Sequence, residues 1–387
     1  MLVIRNGIVH DLVNEKEYKA DILVKGKKIA GIGDYSDFKG TVINAENMHV
    51  YPGLIDAHSH LGLSGYGIGF EGSDYNEPSN PVTPEMRAID SFNPLDPSVG
   101  KAARAGVTTV GTGPGSANAL GGTWIAVKTV GKCVDDMIVK DPVAMKCAFG
   151  ENPKRVYRDK GNGARMSTAG HLREALLKAR QYMEKKELAA GDITKMPPFN
   201  YKWEALIPVL KGEIPLKAHA HQANDILTAI RLAKEFNVKL TLEHVTEGHL
   251  IADELAKYPE IPMAVGPTLS HASKFELRNM SWTTPGILAN KGCLVSIVTD
   301  HPFSLEYDLA LYAGRAITAG MKPYDALKAI TLNPAKHLDI ADRVGSLEAG
   351  KDADIIIYEG NLFETTGRLK TVIINGKKVT GGGELCY

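Results

Sequence analysis

The stretch "YPGLIDAHSHLG", Tyr51 to Gly62, ends an apolar run on two imidazoles one residue apart. In a strand, residues i and i+2 leave the same side of the chain. His58 and His60 therefore share a face, close enough for both rings to reach one point. Two neutral imidazoles converging in this way suit a metal ion. An H-x-H also arises by coincidence, so its meaning depends on how the other strands of the chain end.

They end alike. "IPLKAHAH" finishes on His219 and His221, and "KLTLEHV" carries His244. "MAVGPTLSH" reaches His271, and "CLVSIVTDHP" runs into Asp300 and His301. A carboxylate after "VSIVT" is hard to place in a core, because an unpaired buried charge is expensive. The segments "VTTVGTGPG", "TWIAVKTVG" and "PVAMKCAFG" complete a set of eight strands with "LIDAHSH". Helical segments lie among them: "PSVGKAARAG", "STAGHLREALLKARQYMEKKELAAG" with Ser167 as its expected cap, "KWEALIPVLKG", "NDILTAIRLAKEFN" and "GHLIADELAKY". This rhythm predicts an α/β fold, a (β/α)8 TIM-like barrel, whose chemistry gathers at the carboxyl ends of its strands. An open doubly wound sheet has similar local signals but collects ligands at one topological switch point. The glycine-rich "VGTGPGSANALGG" and "GIGFEGSDYNEP" match neither phosphate-binding pattern, so nucleotide binding is not expected.

The two ends of the chain differ from the middle. "LVIRNGIVHD", "ADILVKGKKIAGIG" and "TVINAENMHV" share their texture with "ADIIIYEG" and "KTVIINGKKV": short, β-branched and broken by Gly, Asn or Asp. These are strand and hairpin signals. They predict one small β-sandwich built from residues 1–50 and 346–387, with the barrel over 51–345.

Of the 387 residues 44% are hydrophobic, enough for a large core. Lys plus Arg and Asp plus Glu are both 45, so charge favours no polyanionic partner such as nucleic acid. No apolar run is long enough to span a membrane, and the opening residues make a poor signal peptide. Cys133, Cys147, Cys293 and Cys386 are scattered without a C-x-x-C, which argues for a reducing compartment. A cytoplasmic protein acting on a small molecule is expected, with homo-oligomer formation left open.

With these residues in view, the chain resembles the amidohydrolase superfamily. The H-x-H of "PGLIDAHSH", the later strand-end histidines, the "TDHP" aspartate and the tail "TLNPAKHLDIADRVGSLEAGKDADIIIYEG" (331–360) carry the likeness. It narrows best to imidazolonepropionase-like and prolidase-like proteins. The resemblance implies a barrel holding one or two divalent metals, zinc foremost, and hydrolysis of a carbon–nitrogen bond in an amide, cyclic amide or dipeptide-like substrate. It implies His58, His60, His219 and His244 as ligands, and Asp300 as both ligand and proton acceptor. Lys146 matches the lysine that is carboxylated in binuclear members and bridges two metals. Glu151, in "FGENPKRVY", is the alternative bridging group, and Lys146 could also be a lysine whose buried stem lets its amine reach solvent. His221 and His271 are expected at the substrate and His301 as a support for Asp300. Arg155 could hold a substrate carboxylate or belong to a solvated loop. His171, His249 and His337 read as surface or boundary residues, and no role is assigned to His10 or His49. The rival functions are a deaminase or ester hydrolase on the same metal set, or a decayed metal-binding barrel.

Overall fold

The computed structural model describes residues 1–66 and 69–379. The end of the expected β domain, 380–387 with Cys386, lies outside the described residues. The N-terminal strands are β1 (Leu2–Asp11), β2 (Lys16–Lys25), β3 (Lys28–Gly33), β4 (Thr41–Asn44) and β5 (His49–Pro52). Eight central strands follow: β6 (Leu54–Ser59), β7 (Val107–Thr112), β8 (Leu120–Lys128), β9 (Ile138–Ala148), β10 (Leu216–Ala220), β11 (Leu240–His244), β12 (Met263–Val265) and β13 (Val295–Ile297). The last three are β14 (Ile355–Glu359), β15 (Arg368–Ile374) and β16 (Lys377–Lys378).

The two ends of the chain form one sheet in the order β16-β15-β14-β5-β1-β2-β3, with β4 also on β1. The join is the antiparallel pair β5–β14, where Val50 faces Ile357 and Pro52 faces Ile355. Ile4, Val9, Ile22, Val24 and Val50 from one end share a core with Ile355, Ile357 and Ile373 from the other. "TVINAENMHV", read as one segment, is broken by a turn into β4 and β5, which pair with successive parts of β1.

The central strands form a second sheet in sequence order, β6 to β13. Past β13 the ring is drawn shut on β6 by backbone bonds: Asp300 N–H donates to His58 O at 3.1 Å, and His60 N–H to His301 O at 2.8 Å. The Asp56 carboxylate reinforces this seam by accepting from the Thr299 N–H and hydroxyl, both at 2.8 Å. One strand departs from the repeating βα rhythm: β8 runs antiparallel to both β7 and β9. A parallel neighbour needs a long crossover, usually a helix. The connections around β8 are short, so it returns as a hairpin.

The expected helices appear at Pro97–Arg104, Tyr201–Leu210 and Ala223–Phe236. The long one spans Arg165–Ala189, so Ser167 lies inside its first turn and is not the cap. Tertiary contacts fix that start instead: the Arg165 side chain donates to Asp225, and the Thr168 hydroxyl to Asn162. "GHLIADELAKY" yields two short turns, a 3-10 helix at Gly248–Ile251 and an α-helix at Ala252–Leu255. No helix among the described residues is long and apolar enough to cross a membrane. Cys133, Cys147 and Cys293 are all free thiols.

Candidate metal centre

The carboxyl ends of the central strands open into a cavity of about 710 Å³. His58, His60, Lys146, His219, His221, His244 and Asp300 all line it. Within it lie two groups whose donor atoms fall within 4.8 Å of one another, His58–His60–Asp300 and His219–His221–His244. His58 and His60 come off β6 on one face, as period two demands. Register aligns the rest: Lys146 on β9 sits opposite Lys217 on β10, and His219 opposite Glu243 on β11.

Alternation would then turn His244 away from the interior, since Glu243 already points in. The backbone reverses it. His244 has φ 73° and Val245 φ 45°, left-handed values that end the strand and swing the ring toward the mouth. Asp300 has φ 54°. Non-glycine residues held this way cost energy and cluster at functional sites.

Four of the five rings, all but His219, are held by the outer nitrogen. His60 Nδ1 donates to Gly113 O at 2.7 Å and His244 Nδ1 to Gly266 O at 2.8 Å. His58 Nδ1 meets Glu243 Oε2 at 2.6 Å, and His221 Nδ1 meets the Thr246 hydroxyl at 2.7 Å. At His58, His60 and His244 the carboxylate and carbonyl partners leave the inward Nε2 atoms as lone pairs. Burial also favours neutral rings. It drives His58, His219 and His221 well below the usual histidine range, and His244 to about 4. For Asp300 burial raises the pKa, but the His244 and His60 rings outweigh it and the carboxyl stays below its ordinary value.

This donor set fits a divalent ion. His219 Nε2 and Asp300 Oδ1 are buried without a hydrogen-bond partner, a costly state that a cation would relieve. His60 Nε2 and His58 Nε2 stand 3.3 and 3.6 Å from Asp300 Oδ1. Neutral imidazole and ionised carboxylate are the forms a metal binds.

Lys146 is fully buried, with Nζ 3.2 Å from His58 Nε2 and 4.9 Å from the centre of the Trp124 ring. Burial first, and then Lys217, bring its pKa down to about 7. Its amine does not snorkel to solvent. Glu151 starts the short helix Glu151–Val156 at the cavity wall, outside both donor groups. Arg155 and His271 are exposed residues of the mouth. His301 is buried, and its contribution at the seam is its backbone carbonyl.

His337 is not a surface or boundary residue. It is buried in an interior network, because the helix Leu332–His337 packs under the strand ends. Its Nε2 meets Glu243 Oε1 at 2.9 Å, while Lys217 Nζ donates to Glu243 Oε2 at 2.8 Å. Glu243 thus ties Lys217, His337 and His58 together. Sequence reading passed over it in favour of the adjacent His244, although the alternation Thr241-x-Glu243 signals an inward carboxylate. Glu276, likewise missed, is buried 3.8 Å from His219 Nε2 and 3.7 Å from His221 Nε2 and is paired with Lys274 at 2.7 Å. It sits in a three-residue 3-10 helix, Phe275–Leu277, too short to carry a periodic signal.

The sequence model of the Amidohydrolase family matches residues 49–379, and the chain belongs to that family. The crystal structure of an amidohydrolase from Thermotoga maritima is 40% identical, covers 98% of this chain and 99% of its own, and superposes with a TM-score of 0.94. Amidohydrolase tasK of Hapsidospora irregularis is 29% identical over 83% of this chain, and an adenine deaminase of Kosmotoga olearia is 25% identical over 99% of it. The chain spans 35% of the length of the first and 58% of the second.

Proposed function

We propose that the protein is a metal-dependent hydrolase that cleaves a carbon–nitrogen bond in an amide, cyclic amide or dipeptide-like small molecule. The observation that carries this reading is the pair of three-residue donor groups sharing one cavity, with Lys146 against one of them and Asp300 in it. His58, His60 and Asp300 would hold one ion, and His219 and His244 a second; His221, expected at the substrate, lies within ligand reach of that second pair. Zinc suits such nitrogen and oxygen donors. A bound divalent ion supplies Lewis acidity, which polarises a carbonyl and acidifies water.

The chain's own residues do the remainder. The Asp300 carboxylate accepts a proton as water oxygen bonds to the substrate carbon. The carbon–nitrogen bond breaks, and Asp300 returns the proton to the departing nitrogen. His271 and Arg155 meet the far end of the substrate at the mouth. With its pKa brought down to about 7, Lys146 has a substantial share of the free amine that attack on carbon dioxide requires. A carboxylated Lys146 would supply a bridging oxygen to both ions, which we favour over Glu151.

The likeness to an adenine deaminase favours deamination as the second reading. Metal content separates the two, since a bridged pair suits amide hydrolysis and a single ion suits deamination. Purified protein should hold about two ions per chain, and intact mass should show carbon dioxide on Lys146. A panel of N-acyl amino acids, dipeptides ending in proline, cyclic ureides and adenine should give turnover on an amide-type compound. Turnover on adenine alone would install the deaminase reading, and none on any compound with full metal content would remove this proposal.

A further inference from the structure

A third group of metal-capable side chains lies on the terminal sheet, apart from the central cavity. Strand register brings it together. His10 on β1 is the cross-strand partner of Glu17 on β2. On the other side of β1, Ile8 pairs with His49 of β5. With period two, His10 shares a face with Ile8, and Tyr51 shares one with His49. Three strands therefore present His10, Glu17, His49 and Tyr51 on the same side.

The side chains converge. His10 Nε2 lies 2.9 Å from His49 Nδ1, and Glu17 Oε2 lies 3.6 Å from the first and 3.8 Å from the second. The Tyr51 ring stacks on His10 with centroids 4.1 Å apart and 22° between planes, which fixes the imidazole's orientation. His10 is buried, whereas Glu17 is exposed, so the site has one wall of protein and one open side. Burial, then the neighbouring His49, lowers the His10 pKa to about 4, leaving the ring neutral at working pH.

We propose that His10, His49 and Glu17 form a second, non-catalytic site for a divalent transition metal. Two imidazoles and one carboxylate suit zinc, and copper or nickel less selectively, with water filling the open side. The ion would staple the β1–β2 hairpin to β5. That strand runs through Gly53 directly into β6 and the His58–His60 pair, so the staple would brace the segment entering the catalytic ring.

The test compares wild type with His49→Ala and Glu17→Gln, two replacements outside the core. All three proteins are dialysed against the same buffered zinc chloride and their zinc is counted. Ions in the central cavity are common to all and cancel in the comparison. Each variant should retain about one equivalent less zinc than wild type, or bind it at least about tenfold more weakly. Added zinc should raise the melting temperature of wild type more than that of either variant. Equal zinc content and equal melting shifts across the three proteins would overturn the proposal.

Discussion

At the scale of single residues, the proposed chemistry converges on Asp300. Its left-handed φ of 54° aims the carboxylate at His58 and His60, and Oδ1 is free of other partners. Asp300→Asn keeps the shape and one acceptor but cannot take a proton. Turnover on a responsive substrate should fall by roughly 10²–10⁴-fold, mostly in kcat. Metal content measured alongside should fall less than turnover. Near-normal kcat would remove Asp300 from the proton path. Glu243 invites a different experiment, since it holds the buried Lys217, His337 and His58 together. Glu243→Ala strands a buried ammonium and should cost roughly 3–5 kcal/mol, read as a lower denaturation midpoint. It also frees the His58 ring and should weaken metal binding by roughly 10–100-fold in dialysis. Glu243→Met paired with Lys217→Met should recover much of the stability while leaving metal binding impaired.

Between elements, the junction of the two sheets rests on charge. Lys128, from β8, is buried against Asp352 at 3.1 Å and against Asp354. Asp352 also meets Lys28 at 2.8 Å and Arg343 at 3.0 Å. Burial raises the Asp352 pKa, but Lys128, Lys28 and Arg343 outweigh it and the folded value lies below the ordinary one. A depressed carboxyl contributes stability that is present above its unfolded pKa, about 3.9, and is lost as pH falls through the lower folded pKa. Denaturation midpoints of wild type should therefore fall as pH drops below about 4, and Asp352→Asn should flatten that part of the curve. A variant whose midpoint keeps the wild-type acid slope would assign the slope to other carboxyls. The sequence offered no route to this cluster. Its members come from β3's leading edge, β8 and the segment before β14, and only folding makes them neighbours.

The whole molecule depends on both chain ends. β14 covers the exposed edge of β5, and the isoleucines of β14 and β15 complete the core of the terminal sheet. A chain cut after residue 350 should leave β5 as an unpaired edge with an open apolar face and be recovered chiefly in the insoluble fraction. Supplying residues 351–379 as a separate peptide should raise the soluble yield. A soluble, cooperatively melting truncated protein would show that the terminal sheet stands without its C-terminal half. The connections over the mouth act at the same scale. Tyr75 stacks on His60 at 4.8 Å, and Gly113 holds the same ring by its carbonyl, so the long loops shape the metal-facing surface directly.

Local sequence determined the eight central strands, the paired texture of the two ends and the strand-end histidines, because period two and turn residues act over a few positions. "LIDAHSH" and "LKAHAH" needed nothing further to put their imidazoles on one face. The antiparallel course of β8 was not legible, since a strand's direction is set by the length of its connections and the partner it meets. His337 looked peripheral because helical spacing does not reveal which face a tertiary neighbour will cover. Glu276 had no periodic context, and His244 was legible as a candidate ligand only by its type, since its φ of 73° depends on the packing around β11. Residue identity thus determined which groups could bind a metal and move a proton. Tertiary structure decided which of them meet, because charges and rings distant in sequence acquire their distances, their burial and their protonation states only when the ring of strands closes.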